Sequence, residues 1–149
     1  MREIKFRGKR KDNGEWVEGC YLETQMSGVY IINTKAQAKG KMPGKVTIGD
    51  KIIHHEVDPA TVGQFTGLKD KNGREIYEGD IVRGYFIGKK ISYEIVYSTD
   101  ACFYGQSLPY NNLPQGGRQT VGLNNISDWA EIIGNIHDNP ELLREETGS

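Results

Sequence analysis

The sequence predicts a mainly β protein built of antiparallel hairpins, and three observations carry that prediction. Two Asn-Gly dipeptides, Asn13-Gly14 and Asn72-Gly73, each sit between short apolar runs. Asn-Gly is a strong hairpin signal because it takes up the φ > 0 conformations that suit strand twist. Second, the stretch from Asp58 to Val82 spaces Val62, Phe65, Leu68, Ile76, Ile81 and Val82 as strands do, with Gly63, Gly67, Gly73 and Gly79 between them. Third, the only helix signals, at Asp58-Pro59 and Asn139-Pro140, suit single turns.

In chain order, Glu3 to Lys9 alternates, with Ile4, Phe6 and Gly8 on one side and Lys5, Arg7 and Lys9 on the other. That is the period of a half-buried strand with one packed and one basic face. The turn Lys11 to Glu15 returns the chain into Trp16 to Leu22, completing a first hairpin. Gly28 to Thr34 is β-branched and aromatic enough for another strand. Lys35 to Lys45 is polar, basic and interrupted by Gly and Pro, which predicts an exposed loop. Val46 to Val57 is extended, with a Gly-Asp turn in its middle.

Asp58 is placed to cap a single helical turn begun by Pro59. A central hairpin follows, joined by Asp70-Lys71-Asn72-Gly73, and Glu78-Gly79-Asp80 makes a sharp corner into a longer strand. Ile81 to Ile87 and Ile91 to Tyr97 form a further hairpin through Gly88-Lys89-Lys90, with Ile81 and Ile95 as core residues. Ala101 to Tyr104 is a short strand candidate. The loop from Leu108 to Gly117, with Tyr104, Tyr110 and Leu113, either covers a barrel mouth or forms a contact surface. Ala130 to Ile136 is a closing strand with Ile132, Ile133 and Ile136 inward or sandwiched. Asn139, Pro140 and Glu141 then start a short helical turn that docks Leu142 and Leu143, and Arg144 to Ser149 frays. The Gly-Asp-Ile-Val lead into a hairpin is similar to small SH3-like barrels. The predicted fold is therefore a small, partly open SH3-like barrel, an additional β-hairpin region and a short C-terminal helical turn. One domain spans 1–149, with N-terminal hairpins and the basic loop 35–45 in 1–57 and the barrel-like core in 58–149.

Three blocks carry a family resemblance. VGQFTGLKDKNGREIYEGDIV, preceded by MREIKFRGKR and followed by EIIGNIHDNPELL, resembles the YopX-like family of small phage and prophage proteins, in the family's own order. The resemblance implies a mainly β protein made inside a bacterial cell. It brings no biochemical activity, catalytic residue or cofactor with it, and Met26 to Gly49 and Ala101 to Gly122 fall outside the matching pattern.

At 149 residues the chain is long enough to bury a core without disulfides. Its net charge of −1 names no partner, but the distribution is uneven. Met1 to Ile53 holds 11 Lys/Arg against 6 Asp/Glu, a net of +5, and His54 to Ser149 holds 8 against 14, a net of −6. Opposite charges can meet within the fold, across a subunit interface, or leave a basic face for nucleic acid. No apolar run approaches the roughly 20 residues that span a bilayer, and no signal peptide is evident. A soluble protein of the bacterial cytoplasm is expected, with no membrane partner. Cys20 and Cys102 lack neighbouring cysteines, so both are expected to be reduced packing residues.

The candidate nucleic-acid residues are Arg7, Lys9, Arg10 and Lys11, with Trp16 near them to stack a base, and Lys39 and Lys41 in the lysine loop. The plainer alternative for the first cluster is a solvated strand face with Trp16 in the core. His54-His55-Glu56 tempts a metal reading, but neighbouring strand residues face opposite ways and a third ligand is missing. Glu75, Glu78 and Asp80 are general-acid candidates only if they converge in space; turn-capping and salt-bridge roles explain them more simply. With no nucleophile elbow, phosphate loop or triad, the chain is expected not to be an enzyme and to need no cofactor. The leading expectation is an accessory protein that self-associates as a homo-oligomer and binds a phage or host protein. A nucleic-acid-binding β protein is the alternative.

Overall fold

The computed structural model describes residues 3–32, 53–86, 88–108, 120–125 and 127–144. Among them the chain is mainly β, with 58% of residues in strands and helix confined to lone 3-10 turns. There are two antiparallel sheets and no closed barrel among the described residues. The chain divides into two compact units, Met1–Phe65 and Thr66–Ser149. The loop expected at Lys35 to Lys45, most of the segment Val46 to Val57, the loop expected from Leu108 to Gly117 apart from Leu108 itself, and the end expected to fray from Arg144 to Ser149 apart from Arg144 itself lie outside the described residues.

In the first unit, β1 (Phe6–Lys9), β2 (Trp16–Thr24), β3 (Gly28–Ile32) and β4 (His54–Glu56) pair in succession, and β5 (Gly63–Lys69) pairs on the other side of β1. Both the β1–β2 turn and its register follow the sequence signal: Gly14 has φ 71° and Lys9 faces Trp16. Past β4 the chain returns to β1. Arg10 bridges Val57, and the Lys11 N–H donates to the Glu56 carbonyl at 3.0 Å. Gly8 permits this return, because a Cβ there would lie 3.0 Å from Val57. The core of the unit is Val29, Ile31 and Val57, with Phe6, Val17 and Val62 packed against it. Asp58 caps the 3-10 turn Pro59–Thr61 as predicted, its Oδ1 accepting the Ala60 N–H at 3.0 Å.

The expected phase of the first strand holds at Phe6 and Gly8 and fails at its start. Ile4 is exposed and Lys5 is buried. The Lys5 carbonyl accepts the Phe65 N–H at 2.8 Å, which sets Lys5 beside Phe65 with its ammonium 4.7 Å from the ring centroid and 3.5 Å from Glu3. A long apolar stem makes such burial tolerable once the head group is paired. The cysteines also depart from expectation: both are free thiols, but both are exposed. Cys20 lies in an exposed run of β2 and Cys102 follows a turn, so neither packs in a core.

In the second unit, β5 runs on to pair with β6 (Glu75–Tyr77). β7 (Asp80–Phe86), β8 (Lys89–Tyr97), β9 (Phe103–Leu108), β10 (Thr120–Gly122) and β11 (Glu131–Asn135) form a sheet in the order β10-β9-β8-β7-β11. One face of this sheet holds the core of Val82, Tyr93 and Ile95, joined by Ile76, Leu123 and Ala130. Ile81 and Ile95 are fully buried, as the strand pattern predicts.

The central hairpin is a three-residue loop. The Gly73 N–H donates to the Asp70 carbonyl at 2.9 Å, the Asp70 N–H donates to the Arg74 carbonyl at 2.8 Å, and Gly73 alone in the loop has positive φ, at 81°. A type I turn closed by a left-handed glycine gives this pattern. Gly73→Val is therefore expected to destabilise the fold by at least about 1 kcal/mol, and unchanged urea unfolding would rule the strain argument out. At the following corner Gly79 has φ 88°, and the Asp80 carboxylate, itself buried, accepts the Tyr77 N–H at 2.7 Å.

Three boundaries differ from the sequence reading. β8 begins at Lys89, which pairs with Phe86, so Lys89 and Lys90 are strand and not turn residues. The strand expected at Ala101 to Tyr104 starts at Phe103 and runs to Leu108, because Ala101 sits in a turn with φ 61°. Asn139 precedes the 3-10 turn Pro140–Leu143 without capping it through its side chain. Its Oδ1 instead accepts the Asn135 N–H at 3.3 Å, and Gly134 makes room, since a Cβ there would meet that oxygen at 2.4 Å.

Candidate functional site

The residues singled out for nucleic acid occupy the N-terminal unit, and the structure divides them. Lys9 and Trp16 are register partners, as are Arg7 and Glu18. Residues of that phase share one face of the sheet. The Arg7 guanidinium lies 4.7 Å and the Lys9 ammonium 5.7 Å from the centroid of the Trp16 indole, so Trp16 stacks the protein's own cations. It is half-buried, neither a core residue nor an open platform.

Arg10 and Lys11 already have acidic partners. The Arg10 Nε donates to Asp12 at 2.9 Å, an arrangement that raises the guanidinium's pKa and lowers the carboxyl's, in both through that hydrogen bond first. The Lys11 ammonium donates to Glu56 at 2.8 Å, and this bond holds its pKa above the usual lysine value. Both pairs are solvent-exposed, where ion pairs contribute little to stability. They neutralise charge that a phosphate backbone would need. Lys39 and Lys41 lie outside the described residues.

His54 and Glu56 do share a face, with His55 on the other, as strand alternation requires. The His54 ring packs edge-on to Tyr30 at 5.5 Å, while Glu56 is engaged by Lys11. Among the described residues no group of three His, Cys, Asp or Glu side chains is placed to hold a metal ion. Of the acidic residues at the corner, Glu75 accepts the Tyr77 hydroxyl at 3.2 Å and Asp80 caps the Tyr77 N–H.

Sequence reasoning missed a different feature of the same face. Cys20 pairs with Ile32, Ile32 with His54, Leu22 with Tyr30, and Tyr30 with Glu56, so these six side chains share the face turned away from the Val29–Ile31 core. Cys20, Leu22 and His54 are exposed, Leu22 at 42%, while Tyr30 and Ile32 are half-exposed. At the tip of the β2–β3 hairpin Met26 is 99% exposed. The signal was present in β3, where Val29-Tyr30-Ile31-Ile32 has no polar alternate. A strand with water on one side has no need of apolar residues on both.

Each of the three sequence blocks has a structural content. In the first, Gly8 clears Val57. In the second, Asp70, Gly73, Gly79 and Asp80 build the loop and the corner. In the third, Gly134 and Asn139 shape the end of β11, and the Asn135 Oδ1 accepts the His137 and Asp138 N–H groups at 3.0 and 2.9 Å. These are turn, cap and clearance roles.

No helix among the described residues is long and apolar enough to cross a membrane. No curated protein matches the chain. A crystal structure of protein EF1440 from Enterococcus faecalis is similar, with 28% sequence identity and a TM-score of 0.56 over 97% of this chain and 100% of that one. The family model described as YopX protein matches residues 5–144, nearly the whole length, with the second and third sequence blocks entire and the first from Lys5 onward. The chain belongs to the YopX protein family.

Proposed function

We propose that the chain is a non-enzymatic accessory protein of phage or prophage origin, working in the bacterial cytoplasm as a self-associating protein-interaction module. Its contact surface is the outward face of β2 and β3. The observation that carries this reading is the apolar row Leu22, Tyr30 and Ile32 on a face that the unit's own core does not use. Charge favours a second copy as partner: Met1–Phe65 carries 11 Lys/Arg against 8 Asp/Glu, a net of +3, and Thr66–Ser149 carries 8 against 12, a net of −4. Such complementarity contributes orientation more than affinity.

Strand edges supply less of the driving force than the number of strands suggests. β4 and β10 are three residues each, and the outer edge of β11 is already bonded. Short or covered edges resist strand addition. Association through a face is the better fit. Leu22→Glu, at a position exposed enough to leave the fold intact, is expected to shift the protein to monomer in sedimentation while thermal unfolding stays unchanged. An assembly that persists undiminished in this variant would exclude the face as its contact.

A second reading has one specific observation in its favour, the gathering of Arg7, Lys9 and Trp16 on one face. Phosphate binding falls steeply with salt. Retention of a labelled single-stranded oligonucleotide at low salt, lost at high salt and lost on replacing Arg7 and Lys9 by Glu, would establish it.

A further inference from the structure

We propose that Asn72 is a modification site: its carboxamide deamidates spontaneously, and the acid so formed unfastens the outer edge of β11. The Gly73 backbone nitrogen, after giving its proton to solvent base, attacks the Asn72 Cγ. A C–N bond forms, the Cγ–Nδ2 bond breaks, and ammonia leaves a five-membered imide. Water then adds to either imide carbonyl and opens the ring to aspartyl or isoaspartyl, with no change of oxidation state. Gly73 favours the attack because it carries no side chain to obstruct the ring.

The structure distinguishes the two Asn-Gly sites. In both loops the glycine N–H is held across the turn at 2.9 Å, Gly14 to the Arg10 carbonyl and Gly73 to the Asp70 carbonyl, so that protection is equal. The carboxamides differ. The Asn13 Oδ1 accepts the Glu15 N–H at 3.0 Å and its Nδ2 donates to Glu15 Oε2 at 3.1 Å. The Asn72 Nδ2 reaches Glu131 Oε2 only at 3.5 Å, the outer limit of a hydrogen bond. Asn72 is the less restrained of the two.

The consequences differ more. Asp70 accepts the Asn72 and Arg74 N–H groups on Oδ1 and the Ile132 N–H on Oδ2 at 3.0 Å, so one carboxylate ties the loop to β11. A carboxylate at position 72 adds a third anion beside Asp70 and Glu131. It competes for the nearby cations, Lys71, 3.7 Å from Glu131, and Arg74, which donates to the Ile132 carbonyl at 3.4 Å. The isoaspartyl product also lengthens the backbone of a three-residue loop. Both changes loosen the hold on Ile132. At Asn13 a new charge has no such tie to break.

The test is incubation of the whole protein at mildly alkaline pH, with peptide mass mapping of both sites and hydrogen exchange at the Ile132 amide. Asn72 is expected to convert several-fold faster than Asn13 in the folded protein, and at a similar rate in urea. Exchange at Ile132 should rise in the converted protein and in Asn72→Asp, and stay unchanged in Asn13→Asp. Conversion of Asn13 as fast as Asn72 in the folded state, or unaltered Ile132 protection after conversion of Asn72, would overturn the proposal.

Discussion

Asp70→Ala is expected to destabilise the second unit by about 3 kcal/mol, because it removes a charged acceptor from three backbone N–H groups in one step. The residue is only 5% exposed, and its carboxylate serves Asn72 and Arg74 at 2.9 Å and Ile132 at 3.0 Å. Burial by itself raises its pKa. The three N–H groups, with Arg74 nearby, outweigh that and hold the carboxyl below the usual aspartate range. A carboxyl depressed in the folded state adds stability that is complete above its unfolded pKa of about 4. That contribution is lost as pH falls through the lower folded value. Wild-type protein should therefore lose stability on acidification below about pH 4, and Asp70→Asn should lack this component of the loss. The amide nitrogen would also oppose the Ile132 N–H, donor against donor, so Asp70→Asn should be destabilised already at neutral pH. Urea unfolding of the three proteins between neutral and acid pH checks the assignment. Equal acid sensitivity in wild type and Asp70→Asn would refute it.

Gly84→Val is expected to destabilise by about 3 kcal/mol or more, at the upper end of overpacking effects. A Cβ at this position would stand 2.1 Å from Trp129 Cε3 and 2.2 Å from Cζ3, so the indole lies directly on the backbone of β7. The ring also meets Tyr93 edge-on at 6.3 Å and packs on the main apolar cluster. It has little room to retreat. The effect should be strongly coupled to Trp129, so Gly84→Val should be far better tolerated once Trp129→Ala has emptied the space. Additive losses in the double variant would show that the glycine is needed for another reason.

What was legible in the sequence is what local chemistry decides. Gly14, Gly73 and Gly79 mark their turns because few other residues take φ > 0, and Ile81 and Ile95 announce their burial through alternation. Asp58 and Pro59 form the predicted turn because the Asp58 carboxylate caps it and the fixed φ of proline suits its first position. The misses involve partners distant in the chain. Nothing near Asp70 shows that its second oxygen reaches Ile132, nothing near Gly84 points to Trp129, and Lys5 is buried by a pairing with Phe65. The acidic partners of the basic cluster were legible only in part: Arg10 is matched by nearby Asp12, but Lys11 is matched by Glu56, 45 positions on. The outward row Leu22, Tyr30 and Ile32 was signalled only by a β3 that is apolar in both phases, and alternation could not say which of its faces was inward.

The central proposal is that the outward face of β2 and β3 joins protein to protein, with a second copy as partner. Sedimentation of the wild-type protein across a range of concentrations, at low and at high salt, tests it most directly. A concentration-dependent larger species is expected, with apolar burial keeping it largely intact at high salt and charge affecting chiefly how fast it forms. A monomer at tens of micromolar in both salts would contradict it.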